Sequence, residues 1–242
     1  MSNSARAIGR FYGVGVGPGD PELLTLRAHR ILSQVPVVFV PQKSPESKSY
    51  AYSIINNFIG KPSQKVVALI FPMQKDSQIL MPYWERAVEE IWQYLEQGED
   101  CAFINEGDPL LYGTFIHVFE IFRSRHPEVA IEVIPGISSI NAASAMALLP
   151  LATGKERVAI LPTTYENNIG ALRGILESFD TVILLKVHTM FDKVLDLLEE
   201  MKLTDGCVYI QRCTAEDEEI VKDIRKLRGK KLNYLSLLIV RR

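Results

Sequence analysis

Cysteine is scarce in this chain: Cys101, Cys207 and Cys213 are the only three, and no two share a paired spacing. An odd, scattered set excludes a disulfide framework and suits a reducing compartment. A dominant charge sign is also lacking. Lys and Arg number 27 against 29 Asp and Glu, for a net charge of -2. No global basic field of the kind that holds nucleic acid follows from that balance. A basic tail, Lys222–Arg242, is preceded by the acidic run Glu216–Glu219 and reads as a solvated helix and turn. Long apolar runs are missing, since nothing approaches the ~18 residues of a membrane-spanning helix. The best stretch, Ala142–Ala152, is interrupted by Ser144 and Pro150. The opening MSNSARAIGRFYG has no apolar segment of the signal-peptide type. His29, His117, His126 and His188 are the only histidines, and none stands at a metal-ligand spacing from a Cys or an acid. The expectation is a soluble, cytoplasmic protein with no metal, no membrane and no nucleic-acid partner.

What is present is ordinary globular material. The 242 residues are 47% hydrophobic and 23% charged, enough to bury a core without staples. Short β-rich runs alternate with amphipathic ones. Phe11–Gly17 reads as a strand entering a glycine turn, after which Asp20 caps a helix with Pro21 at its first position. Leu23, Leu24, Leu26, Ile31 and Leu32 give that helix an apolar face. Val35–Val40 and Lys65–Phe71 read as strands, Tyr50–Ile59 as a helix, and Trp84, Val88, Ile91, Trp92 and Leu95 mark Tyr83–Glu96 as another. Cys101–Asn105 is a buried strand and Phe115–Arg125 a helix, followed by the break His126-Pro127. The alternation then repeats without repeating the sequence, ending on strands at Val208–Gln211 and Leu235–Val240. This predicts two α/β domains, 1–126 and 127–242, with largely parallel sheets and a ligand cleft between them.

Gly13, Gly15, Gly17 and Gly19 suggest a dinucleotide loop, but the spacing refuses it. The third glycine of G-x-G-x-x-G falls on Pro18 or on Asp20, and no G-x-x-x-x-G-K-[ST] occurs. What remains is a strand entering GVGPGDPELLTL. Two further loops follow buried strands: Glu106–Thr114 (EGDPLLYGT) and Ile134–Ser139 (IPGISS). The carboxyl end of a parallel strand is where such sheets offer backbone groups to ligands. Each loop taken alone is equally well a capped turn.

Taken together and in this order, VGVGPGDPELLTLRA, EGDPLLYGT and PGISSINAA resemble the tetrapyrrole (corrin/porphyrin) methyltransferase family. VILLKV, QRCTAEDEEIV and YLSLLIV extend the resemblance over essentially the whole chain. Within the family, PGDPELLTLRA, the Lys of VILLKV and PQKSPESKSYA are most similar to the precorrin-2 and cobalt-precorrin-2 C20-methyltransferases. The resemblance implies the tetrapyrrole methylase fold, a homodimer, and S-adenosylmethionine as co-substrate bound between the domains. It implies cofactor contacts at Pro18, Glu106, Gly107, Asp108, Leu111, Ser138, Ser139, Lys186, Cys213, Thr214 and Ala215. Several relatives carry a glycine in place of Glu106 and a small or apolar residue in place of Lys186.

The implied reaction is methyl transfer to C20 of a reduced tetrapyrrole in cobalamin biosynthesis. The substrate's acetate and propionate groups call for cations, with Lys43, Lys48, Lys155 and Arg157 as candidates, each equally explained as a solvated side chain. No residue is identified as the base that removes the C20 proton; Tyr112, Glu106 and His117 lie nearby, each with a plain structural role as its alternative. Other readings stay open at this stage: another tetrapyrrole carbon, a non-tetrapyrrole acceptor, or a module that binds the cofactor without turnover.

Overall fold

The computed structural model of the protein describes residues 7–74, 76–163 and 169–242. It divides into two compact units, Met1–Ser138 and Ser139–Arg242. Unit 1 extends past the His126-Pro127 break because the strand that follows the break pairs with the first strand of the chain.

Unit 1 holds five strands: β1 (Phe11–Gly15), β2 (Val37–Gln42), β3 (Lys65–Ile70), β4 (Cys101–Asn105) and β5 (Ile131–Ile134). They form one wholly parallel sheet in the order β3-β2-β4-β1-β5. Strands covered on both faces must be apolar throughout, and all five residues of both β1 and β4 are buried. Helices α1 (Leu26–Gln34), α2 (Tyr50–Ile55), α3 (Ser77–Leu95) and α4 (Phe115–Arg125) supply the cover. Val14, Val38 and Ile104 pack towards Ala28 and Leu32 of α1 and Ile54 of α2. Phe11, Phe39 and Phe103 pack on the other face, with Val88 and Ile91 of α3 and Phe115 and Phe122 of α4. Gly13 is there for packing, since the Phe115 ring occupies the space a Cβ would take.

The first helix starts later than the sequence pattern predicts. Asp20 caps only a short 3-10 turn, Pro21–Leu23, and accepts from the Glu22 N–H. Leu24 is extended, and Thr25 caps α1 through its hydroxyl, which accepts from the Ala28 N–H at 3.1 Å. That register buries Ala28 and Leu32 and leaves Leu26 90% exposed, so Leu26 is no part of the apolar face.

Unit 2 holds β6 (Val158–Pro162), β7 (Thr181–Leu185), β8 (Cys207–Gln211), β9 (Glu219–Val221) and β10 (Ser236–Arg241), with helices α5 (Ser139–Ala147), α6 (Ile169–Ser178) and α7 (Phe191–Glu200). The strand order is β6-β7-β10-β8-β9. This sheet is mixed where a largely parallel one was expected. β6 and β7 are parallel, but β10 runs antiparallel to both β7 and β8, and β9 antiparallel to β8. For β9 the reason is connection length: a parallel neighbour needs a crossover, usually a helix, and only a short turn separates β8 from β9. The core beneath this sheet joins Leu172 and Leu176 of α6, Val194, Leu195 and Leu198 of α7, and Leu184, Tyr209 and Leu238 of the strands.

Candidate active site

In unit 1 the chain leaves β1 towards β2 on one side, and leaves β4 towards β5 on the other. β1 and β4 are neighbours, so each connection steps past the other strand and the two loops start side by side at the carboxyl ends, where ligands of open α/β sheets bind. The loops after β1, β4 and β5 meet there. They are held to one another by backbone. The Gly107 N–H donates to the Gly17 carbonyl at 2.8 Å, and the Val16 N–H to the Asn105 carbonyl at 2.9 Å.

Two glycines permit this closeness. A Cβ on Gly136 would stand 2.0 Å from the Gly107 carbonyl oxygen, and one on Gly15 would stand 2.5 Å from Gly136 Cα. Beside Gly107 itself there is room, for the nearest atom to such a Cβ is Ser138 Cα at 3.9 Å. The crowding locks the loops, and Gly107 is needed for its backbone, whose φ of 67° lies in the left-handed region.

Asp108 is the clasp of this arrangement. Its carboxylate accepts from the Leu110 N–H at 2.9 Å, within its own loop, and from the Gly136 N–H at 3.1 Å, in the loop after β5. Asn105, 4% exposed at the end of β4, donates from its side-chain amide to the carbonyls of Glu106 and Asp108. Pro18 is buried and its carbonyl accepts from the Tyr50 hydroxyl at 2.9 Å. Glu106 and Leu111 are exposed, and Ser138 is half-buried. Pro18, Glu106, Gly107, Asp108, Leu111 and Ser138 therefore lie along one edge of unit 1. Sequence reasoning missed Asn105 and Tyr50; Asn105 was in plain view as the polar end of an apolar strand.

In unit 2, Ser139 is the first residue of α5. Lys186 follows β7, and Cys213, Thr214 and Ala215 follow β8, on either side of the start of β10. The Lys186 N–H donates to the Ser236 carbonyl at 2.9 Å and the Arg212 N–H to the Leu235 carbonyl at 2.8 Å. Antiparallel pairing with β10 thus brings the two loops to one edge of unit 2. Cys213 is buried, and burial, with Glu218 beside it, pushes its thiol up to about 12. A thiol that stays protonated is a packing group, not a nucleophile.

Backbone strain marks the same loops. Non-glycine residues with left-handed backbone number six among the described residues, and four stand just past strands at the candidate edges: Tyr112 (φ 55°), Lys186 (φ 57°), Arg212 (φ 48°) and Thr214 (φ 64°). Each such residue costs on the order of 1–2 kcal/mol and persists only where its surroundings impose it. No composition or periodicity signal announces these positions.

Lys43, Lys48 and Lys155 are exposed. The Arg157 guanidinium lies over the Phe179 ring, 5.6 Å from its centroid. His117 stacks on Trp84 at 3.9 Å, and burial of that ring face lowers its pKa although Glu120 raises it. Among the described residues no group of three His, Cys, Asp or Glu could hold a metal ion, and no helix is long and apolar enough to cross a membrane.

A family model for Tetrapyrrole (Corrin/Porphyrin) Methylases matches residues 10–227. The probable cobalt-precorrin-2 C(20)-methyltransferase of Methanocaldococcus jannaschii is 36% identical over 241 residues, covering 98% of each chain. The cobalt-precorrin-2 C(20)-methyltransferase of Salmonella typhimurium is 28% identical, covering 96% of each. The precorrin-2 C(20)-methyltransferase of a Sinorhizobium species is 29% identical, covering 98% of this chain and 97% of its own. Among solved structures, a cobalt precorrin-4 methyltransferase superposes with a TM-score of 0.72 at 22% identity, covering 96% of this chain and 94% of its own. A uroporphyrin-III C-methyl transferase from Thermus thermophilus, complexed with S-adenyl homocysteine, superposes with a TM-score of 0.66 at 22% identity, covering 96% and 92%.

Proposed function

This chain belongs to the tetrapyrrole (corrin/porphyrin) methylase family, and from that premise we propose that it methylates C20 of precorrin-2 or its cobalt complex in cobalamin biosynthesis. The observation that carries the proposal is the 36% identity to a C20-methyltransferase over 98% of both chains. S-adenosylmethionine is the co-substrate.

The chemistry suits a site built from backbone. The sulfonium methyl group is already activated, so the protein need not create an electrophile. Its task is to hold the nucleophilic C20 carbon in line with the S–CH₃ bond. Near-attack placement of this kind can supply on the order of 7–11 kcal/mol of the barrier. As the new C–C bond forms, the S–C bond breaks, its electron pair stays on sulfur, and C20 later loses its proton to a base or to water. The residues taken to contact the cofactor are Pro18, Glu106, Gly107, Asp108, Leu111, Ser138, Ser139, Lys186, Cys213, Thr214 and Ala215. The backbone contacts that bring Gly17, Gly107 and Gly136 together at the strand ends support a backbone grip in unit 1. The Asp108 carboxylate acts by holding two loops in register, through the Leu110 and Gly136 amides. The working form is a cytoplasmic homodimer.

The test is a methylation assay without oxygen, using methyl-labelled S-adenosylmethionine with either metal-free precorrin-2 or its cobalt complex. Products are read by mass and NMR. One new methyl at C20 is expected, and the preferred substrate assigns the oxygen-dependent or oxygen-independent route. A methyl at another carbon keeps the family and overturns the position. Cofactor binding without methylation of either compound overturns the reaction.

A further inference from the structure

Lys186 is set apart in unit 2 as a half-buried lysine whose ammonium meets a ring face. Arg173, Arg212, Arg225, Arg228 and Arg241 each meet a carboxylate within 4 Å. Lys186 is half-buried, yet no carboxylate among the described residues pairs with it. Its ammonium instead stands over the Tyr234 ring, 5.5 Å from the centroid. A ring face draws a cation electrostatically but does not neutralise it.

The backbone that carries this side chain, and the ring beneath its ammonium, are fixed by their neighbours. Lys186 is fixed in the left-handed region at φ 57° and ψ 39°. Its N–H is bound to the Ser236 carbonyl, and its own carbonyl oxygen lies 3.2 Å from His188 Nδ1. His188 meets the Tyr234 ring edge-on, with centroids 5.3 Å apart at 75°. Tyr234 sits in a tight turn: the Ser236 N–H donates to the Tyr234 carbonyl, the Ser236 hydroxyl donates to the Asn233 carbonyl, and the Leu235 N–H donates to Asn233 Oδ1. A long, flexible cation loses rotamer freedom when it is held like this, and loses hydration when half-buried. Both costs are offset when an anion arrives from outside, because the geometry is already in place.

We propose that Lys186, positioned by Tyr234, is a built contact for a ligand carboxylate, with Lys186 in contact with the ligand and Tyr234 as its positioning residue. The inference rests on the methyl-transfer reading, which supplies two carboxylate sources. One is the α-carboxylate of the methionyl group of the cofactor; the other is an acetate or propionate of the tetrapyrrole. The positively charged sulfonium and the neutral adenosine are poor partners for an ammonium.

The experiment uses the full chain. Affinities for S-adenosylhomocysteine and for 5′-methylthioadenosine, which lacks the amino-acid carboxylate, are measured by calorimetry beside KM and kcat for the tetrapyrrole. Lys186→Met is expected to lose about 10- to 100-fold at one carboxylate ligand, the worth of a charge-assisted hydrogen bond. If the cofactor is the source, S-adenosylhomocysteine weakens and 5′-methylthioadenosine does not. If the substrate is the source, both hold and KM for the tetrapyrrole rises with kcat changed much less. Tyr234→Leu should reproduce the loss at the same ligand, and Tyr234→Phe, which restores a ring, should recover most of it. Lys186→Gln with an unchanged melting temperature guards against misfolding. The proposal is overturned if Lys186→Met leaves every affinity within about twofold, or if it weakens 5′-methylthioadenosine as much as S-adenosylhomocysteine. Wild-type protein that binds S-adenosylhomocysteine but methylates nothing overturns the methyl-transfer reading, while the two adenosine ligands, with direct calorimetric binding of the tetrapyrrole, still decide the role of Lys186.

Discussion

At the residue scale, the site of unit 1 depends on atoms that are missing. Gly15 and Gly136 let three loops touch backbone to backbone, and the Asp108 carboxylate bridges two of those loops. Gly136→Ala would drive a Cβ to 2.0 Å from the Gly107 carbonyl oxygen, and neither backbone segment can turn aside as a side chain would. We expect a loss of about 1–3 kcal/mol from overpacking, together with more than about tenfold weaker S-adenosylhomocysteine binding, about 1.4 kcal/mol. Urea unfolding and calorimetry measure the two effects. Gly174→Ala is the matched control. It lies inside α6 with nothing within 4 Å of a Cβ, so it should be neutral or stabilising by about 0.5–1 kcal/mol. The glycine cluster near residue 15 was legible as a close approach, but the partners of that approach were not. A string of residues does not say which loops will meet.

At the scale of elements, the contact between α3 and α4 is more specific than its helical periodicity suggests. Trp84 stacks on His117, and Trp92 on His126 at 4.0 Å. His117 titrates below the ordinary imidazole midpoint of 6.5, because covering its face disfavours the charged ring. The sign follows: a pKa lowered on folding means the unfolded chain binds the proton more readily. The contribution is fully present above pH 6.5 and is lost as pH falls through the folded value. NMR titration of the imidazole C–H resonances should show His117 below 6.5. A midpoint at or above 6.5 in the wild-type protein would contradict the packing argument. Helix starts show the same limit of local reading. Asp20 and Thr25 both satisfy the rule for a helix cap, and both do cap; only the burial of Ala28 and Leu32 against the sheet decides that the α-helix begins at the second.

At the scale of the whole molecule, the family and both units follow one plan of strands with candidate loops at their ends. A homodimer is expected to scatter light with twice the mass of the 27.3 kDa chain at micromolar concentration; a particle of 27.3 kDa would remove the dimer from the proposal. The helix carrying Trp84, Val88, Ile91 and Leu95 was readable from the residues because its apolar spacing is a local property. The short strand β9, by contrast, carries only Glu219–Val221 and has no periodicity to detect. By itself, the sequence determined the alternation of strands and helices, the loops VGVGPGDP, EGDPLLYGT and PGISS, and through them the family. Tertiary structure alone decided that β10 enters the second sheet antiparallel, that Asp108 reaches Gly136 across 28 positions of chain, and that Tyr234 stands beneath Lys186. The physical reason is range. Periodicity, caps and glycine turns act between residues a few positions apart, whereas strand order, interloop hydrogen bonds and a cation held over a ring arise only after distant segments have packed.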